Sequence, residues 1–256
     1  MKIYFLGTCS GTEPMPDMHH CSLVFEINGV YYWFDAGENC SHTAYTKLGI
    51  DLSRVRSVFI SHPHIDHVGG LANLVYSLNK LVWRKIPHTD NGGVVSFYLP
   101  EKELFSHVLA LAFSGRKGLP LVMNEYEISD GVIYEDENLR VTAHHTMHLK
   151  EDGSNGWHAF SFLIEAEGKR VVFSGDVGAP CELDCHIGDG VDILIMENGH
   201  HKISDVLDYV KSRRIGKLIF NHHGREMLAD RDGAAELIKA RGVNAAIAKD
   251  CDIEIL

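Results

Sequence analysis

Six consecutive residues, His62-Pro63-His64-Ile65-Asp66-His67, put three imidazoles and a carboxylate into one short stretch. Neutral imidazole and carboxylate are the usual protein donors for zinc and similar divalent ions. In an extended segment His62 and His64, two apart, point to the same side. Asp66 and His67 follow once the chain has begun to turn, which lets them face a second ion nearby. Such donors need rigid flanks, and the sequence supplies both. The apolar run 55–60 reads as a short buried strand, and Gly69-Gly70 leads into an apolar-periodic stretch, 71–81, that reads as a helix. The bland alternative is a polar loop in a chain that holds 17 His, but the strand–loop–helix context favours a metal site.

One loop cannot close two metal sites, so further donors must lie at other strand ends. After the strand-like run 139–143 come His144-His145-Thr146-Met147-His148, three more candidates. The run 170–173 leads into Ser174-Gly175-Asp176, and 217–220 into Asn221-His222-His223. The buried run 193–196 ends in Glu197-Asn198-Gly199-His200-His201. Near the start, a strand over 30–35 closes on Asp35.

The remaining elements alternate in type. Residues 2–6 and 22–27 read as strands, and Asn28-Gly29 between 22–27 and 30–35 is the strongest two-residue hairpin signal. Residues 40–48 form a short helix stopped by Gly49. Asp90-Asn91-Gly92-Gly93 is a turn, 94–99 a strand, 101–113 a helix, and 114–120 a loop whose Arg116-Lys117 makes at most a short basic lid. The pattern becomes β again at 139, with strands at 159–165 and 170–173 around a turn at Glu167-Gly168. A helix over 204–212 is capped by Ser204; 234–240 is helical and ends at Gly242; 245–248 and 253–255 close the chain. Periodicity alone supports an α/β protein of one domain spanning residues 1–256.

Composition sets bounds on function. The chain of 256 residues is 45% hydrophobic and has no apolar run near the ~18 residues of a membrane span. Its first seven residues are too short for a signal peptide, so the expectation is a cytoplasmic protein without a membrane partner. The six cysteines fit reduced, structural thiols; Cys181 and Cys185 could form half of a zinc site, but no second pair lies nearby. A formal net charge of −11 with no basic block leans away from large nucleic acids and towards a small anionic substrate. The densest basic cluster, Lys211, Arg213, Arg214 and Lys217, reads as a solvated helix end. A homodimer is compatible with all of this.

The His-x-His-x-Asp-His stretch resembles the ligand signature of the metallo-β-lactamase superfamily without a substitution, and the later strand ends match its motifs in order. The resemblance implies an αββα sandwich of two mixed β-sheets with helices on the outer faces. It implies two divalent metal ions, zinc first, with manganese and iron also suited to the donors. His62, His64 and His148 would hold one ion, and Asp66, His67 and His222 the other; Asp176 would bridge them, with Asp35 orienting the loop from behind. His144 and His145 remain alternatives to His148, and His223 to His222. The opening Phe5-Leu6-Gly7-Thr8 and Phe34-Asp35-Ala36-Gly37-Glu38 look closest to the tRNA 3′-processing endonucleases (RNase Z) and their phosphodiesterase relatives. Three features depart from the tRNA enzymes: Glu38-Asn39-Cys40, the continuation His223-Gly224-Arg225-Glu226, and the lack of a long basic arm. The expected reaction is hydrolysis of a small or cyclic phosphodiester by a metal-bridging hydroxide. Asp66 and His201 would be catalytic, His201 as proton donor with His200 the alternative. Thioester, lactone or β-lactam hydrolysis and tRNA processing are the competing hydrolase readings. A di-iron oxidoreductase is disfavoured by the missing acidic ligand and flavin domain.

Overall fold

The computed structural model describes residues 1–86, 93–116, 118–149 and 157–256. Asp90, Asn91 and Gly92 of the expected turn, and Lys117 of the short basic loop, lie outside them. The strands are β1 (Lys2–Gly7), β2 (Ser22–Ile27), β3 (Val30–Phe34), β4 (Val55–Phe59), β5 (Val94–Leu99), β6 (Val122–Glu127) and β7 (Gly131–Glu135). They continue as β8 (Arg140–His145), β9 (Phe160–Ala166), β10 (Lys169–Phe173), β11 (Val191–Asn198), β12 (Ile215–His223), β13 (Ala245–Ile247) and β14 (Ile253–Ile255). The α-helices are α1 (Cys40–His42), α2 (Ile65–Val68), α3 (Leu71–Trp83), α4 (Lys102–Phe113), α5 (Asp184–Ile187), α6 (Ile203–Lys211), α7 (Arg225–Ala229) and α8 (Arg231–Arg241). The chain forms two compact units, Met1–Gly7 with His19–Ile128 and Asp250–Leu256, and Thr8–Met18 with Ser129–Lys249. Each contains a seven-stranded mixed sheet, as expected for the fold class.

In the first unit the sheet order is β14-β1-β2-β3-β4-β5-β6. Pairing is antiparallel from β14 to β3 and parallel from β3 to β6. Parallel strands covered on both faces read as continuous apolar runs rather than alternation; β4 is buried at all five positions. One face carries Trp33, Val58, Val95 and Phe97 against Leu71, Leu74, Val75 and Leu78 of α3 and Phe105 and Val108 of α4. Each such buried side chain stabilises by about 1.5–3 kcal/mol. The other face carries a ladder of rings, Phe34–Phe59–Tyr98–Tyr126, stacked at 4.8, 4.9 and 4.9 Å. The Asn28-Gly29 turn has both residues at positive φ, 53° and 74°, the geometry a two-residue hairpin needs. Residues 40–48 are helical as expected, but α1 passes into a π-helical turn at Thr43–Lys47.

In the second unit the order is β13-β12-β11-β10-β9-β8-β7. It is parallel from β13 to β10 and antiparallel from β10 to β7. Leu194, Met196, Leu218 and Phe220 pack with Val206, Leu207 and Val210 of α6 and Ile238 of α8. The sequence reading missed β6 and β7. Both are edge strands, and β6 is too polar (Asn124, Glu125, Glu127) to show alternation. Ser204 does not cap α6: Lys202 holds the N-cap position, and the Ser204 hydroxyl donates to Asp205 at 3.0 Å. Nor is the basic cluster merely solvated, because Arg213 grips Asp184 through Nε and Nη2 (2.7 and 2.9 Å) and lies over Tyr209. Cys181 and Cys185 are free thiols and, among the described residues, join no cluster of metal-type ligands.

His186 on α5 is buried, its Nε2 3.1 Å from the Ser161 hydroxyl. Burial lowers its pKa from 6.5 to about 4. Between those values the unfolded chain binds a proton that the folded chain refuses. Stability from this residue is therefore complete above pH 6.5 and is lost as pH falls towards 4, by roughly 3 kcal/mol in all. Urea unfolding of His186→Gln across this range should show a shallower acid-side decline than wild type; an identical slope would mean that His186 titrates normally.

Candidate metal centre

Most donors of each unit emerge where parallel strands end, the edge at which α/β sheets place their ligands; His148 instead follows β8, antiparallel to both its neighbours. In the first unit Asp35 follows β3, and His62 to His67 follow β4. The loop is extended at His64 (φ −61°, ψ 147°) and then turns into α2, so Asp66 and His67 sit on a helical turn. The His62 ring lies 4.7 Å from that of His64 and 4.0 Å from that of His67. Asp66 Oδ2 is 3.5 Å from His67 Nε2. His62, Asp66 and His67 are buried and His64 is exposed.

Behind these donors lies a fully buried carboxylate. Asp35 accepts the backbone N–H of Ser61 on Oδ1 (2.7 Å) and the Ser61 hydroxyl on Oδ2 (2.8 Å). His67 Nδ1 lies 2.7 Å from the same Oδ2. A carboxylate only accepts, so His67 carries its proton on Nδ1 and turns the lone pair of Nε2 outward. Backbone bonds fasten the two loops: Asp35 N to Phe59 O (2.9 Å), Ala36 N to His67 O (2.7 Å) and Gly70 N to Ala36 O (2.8 Å). Gly37 is required at their crossing, because a Cβ there would collide with the His20 carbonyl and stand 2.8 Å from that of Asp66.

In the second unit His148 comes shortly after β8, Asp176 after β10, Glu197 near the end of β11 and His222 near the end of β12. Strands β8 and β10 are each antiparallel to β9, so their C-terminal ends share one edge. Asp176, 1% exposed, directs its two oxygens differently: Oδ2 lies 3.5 Å from His148 Nε2 and Oδ1 3.4 Å from His222 Nδ1. Thr146 secures this corner by donating its hydroxyl to the Asp176 carbonyl (2.7 Å). His222 has φ 51°, and the register slips there: Glu197 faces Asn221 while Asn198 faces His223. His222 is thus the extra residue of a bulge, which re-aims its ring.

The alternative histidines are held differently. His144 donates Nδ1–H to its neighbour's carbonyl, and His145 bonds Asp130 (2.7 Å), so the pair forms its own group. His223 is buried, with Nε2 2.8 Å from the Ala248 carbonyl; burial lowers its pKa to about 4. His200, not His201, joins Asp176, Glu197 and His222 in one cluster of ligand-type atoms. His201 is turned aside, with Nε2 3.0 Å from the Val177 carbonyl and 3.4 Å from Glu197.

Glu197 is a functional candidate to which the sequence reading gave no role. It is 1% exposed and accepts backbone N–H bonds from Gly199 (2.9 Å) and His200 (3.0 Å). His200 Nδ1 stands 3.1 Å from both of its oxygens. Burial alone would raise the Glu197 pKa, but the bonds from His200 and His222 prevail and hold it well below the usual range. In return Glu197 raises the pKa of His200. The signal was available as a lone acid at the end of a buried apolar strand.

Structural comparison bears on the fold alone at these identities. The chain superposes on the metallo-β-lactamase fold protein YhfI from Bacillus subtilis with TM-score 0.76 at 14% identity, covering 99% of each chain. The short form of human tRNase Z gives TM-score 0.74 at 17% identity, covering 100% of this chain and 99% of that one. In sequence, a ribonuclease Z of Methanothermobacter thermautotrophicus is 23% identical over 278 residues, or 87% of this chain and 86% of the other. Fold and relatives define a metal-dependent hydrolase of the metallo-β-lactamase superfamily, RNase Z-like. Within it, the chain belongs to the family described as Anti-Pycsar protein Apyc1, which matches residues 1–242. Among the described residues, no helix is long and apolar enough to cross a membrane.

Gly37→Ala should destabilise the protein by about 1–3 kcal/mol, since its Cβ meets backbone that cannot swing away. A urea midpoint equal to wild type would show that the two loops are not fastened at this point.

Proposed function

We propose that the chain hydrolyses a small or cyclic phosphodiester. His62, His64 and His148 would hold one divalent ion, Asp66, His67 and His222 a second, and Asp176 would serve both. The observation that carries this reading is the divergence of the Asp176 oxygens, one towards His148 and one towards His222. The donor chemistry fits: five imidazoles and two carboxylates suit zinc, and manganese or iron as well. When bound, such ions acidify a water and neutralise charge on phosphoryl oxygens.

The chain's own residues supply the rest. His200 is the proton donor to the leaving oxygen, replacing the sequence-based choice of His201. Glu197 accepts Nδ1–H of His200, which leaves Nε2 to give up a proton when a leaving group develops charge. Asp66 and Asp176 orient the reacting centre as ligands. Phosphodiester substrates are supported by the family pattern and by the acidic chain, which favours a compact anion over a long nucleic acid. A second reading, cleavage of an RNA precursor, is favoured by the relatives named ribonuclease Z. The discriminating experiment assays metal-reconstituted protein on bis(p-nitrophenyl) phosphate, cyclic nucleotides, a tRNA precursor, a thioester and a cephalosporin. Turnover confined to the last two substrates would reject the phosphodiester reading.

Two variants probe the roles. Asp176→Ala should lose both turnover and bound metal, measured by elemental analysis after gel filtration; full metal content and full activity would remove it from the ligand set. A positioned imidazole contributes roughly 10²–10⁴-fold to proton transfer. His200→Ala should therefore lower kcat steeply on a substrate with a poor leaving group and far less with p-nitrophenolate, metal content staying intact. His201→Ala should show no such dependence, and the reverse result would restore His201 as the donor.

A further inference from the structure

We infer that Ser61 is a positioning residue that fixes the tautomer of His62, and with it the ring nitrogen that His62 offers to an ion. The significance for metal binding rests on the ligand assignment proposed above; the hydrogen-bond argument stands without it.

Ser61 has one hydroxyl proton and two neighbours that compete for it; a third, His67 Nδ1 at 3.4 Å, already gives its own proton to Asp35. Its Oγ lies 2.8 Å from Asp35 Oδ2 and 3.0 Å from His62 Nδ1. A carboxylate has no proton to give, and a hydrogen bond to it is about twice as strong as one between neutral groups. The hydroxyl proton therefore goes to Asp35. The Ser61 oxygen is left as an acceptor, so His62 must hold its proton on Nδ1 and keep Nε2 bare. Asp35 acts on His67 directly, through the 2.7 Å bond to Nδ1. One carboxylate thus sets two imidazoles, one by contact and one through the hydroxyl of Ser61.

Burial makes the relay hard to replace. Asp35, Ser61, His62 and His67 are all 0% exposed, and in such surroundings the loss of a partner is not repaired by bulk water. Ser61 is also fixed by its own backbone, whose N–H binds Asp35 Oδ1 at 2.7 Å. It is further anchored by its place next to β4, every residue of which is buried. Its hydroxyl has no freedom to serve another acceptor. Groups that orient metal-binding histidines in this way typically alter affinity by about 10–100-fold when removed.

The test uses the full chain labelled with ¹⁵N-histidine, chelator-stripped and zinc-loaded, with long-range ¹H–¹⁵N spectra and competition against a chromogenic zinc chelator. Wild type and Ser61→Thr should show His62 protonated on Nδ1. Ser61→Ala should move His62 towards the Nε2-protonated form and weaken zinc binding about 10–100-fold, with threonine restoring both. A wild-type His62 protonated on Nε2 would overturn the inference without any variant, so it remains testable even if Ser61→Ala fails to fold. An unchanged tautomer and affinity in Ser61→Ala would overturn it equally. If the tautomers behave as expected but zinc leaves the His62 resonances unmoved, the ligand assignment fails while the role of Ser61 in setting the tautomer stands.

Discussion

A buried carboxylate must find donors, and around Asp35 that demand shapes the first unit. Removing a carboxylate from water costs several kcal/mol unless its oxygens are saturated. Asp35 has 0% exposure and accepts from the backbone and hydroxyl of Ser61 and from His67. These donors are available only if β3 and β4 end side by side, as their parallel register of Phe34 with Phe59 ensures. The loop from Ser61 to His67 must then fold back over Ala36 and Gly37. Satisfying this one acid also orients His67 directly and His62 through the Ser61 hydroxyl.

Glu197 sets a similar constraint in the second unit, with a different result. Its oxygens gather the backbone of the turn after β11 and the ring of His200. A histidine on a surface turn would otherwise sample many rotamers; here one nitrogen is committed to a buried anion. Asp35 fixes the proton of its partner His67 on Nδ1, whereas Glu197 raises the proton affinity of His200. Under the proposed assignment the same physics would yield a donor of electrons in one case and of protons in the other.

Most of the architecture was legible because apolar runs and turn chemistry agreed. Asn28-Gly29 and Gly242 fell where the chain turns left-handed, and Gly70 where the Gly37 carbonyl leaves no room for a Cβ. What escaped was decided by tertiary context. Strands β6 and β7 have only one neighbour each in their sheets, so packing does not force a strict alternation onto them. Ser204 looked like a cap, but the extended residue before α6 is Lys202 (ψ 140°), and propensity yields to that path. His200 and His201 differ in side-chain direction within one turn, which spacing does not encode. Ser61 was invisible for another reason: a serine between a strand and a histidine-rich loop carries no signal until its hydroxyl is seen between a carboxylate and an imidazole.

The placement of His222 shows how the backbone itself enters the chemistry. Strand β12 would alternate its side chains, sending Asn221 and His223 to one face and His222 to the other. The bulge breaks that alternation, with His222 in the left-handed region at φ 51°, while Asp35 is held similarly at φ 55°. Such conformations cost of order 1–3 kcal/mol each and persist only where the surroundings over-determine them. Around Asp35 the determinants are the three hydrogen bonds to its carboxylate, its own N–H bond to the Phe59 carbonyl and the Ser22 hydroxyl on its carbonyl. Around His222 they are the parallel pairing of β12 with β11 and the bond from His223 Nε2 to Ala248, which pins the next residue in a buried site. His223, a rival of His222 by sequence alone, is held by the Ala248 carbonyl beside the residue whose ring turns towards Asp176.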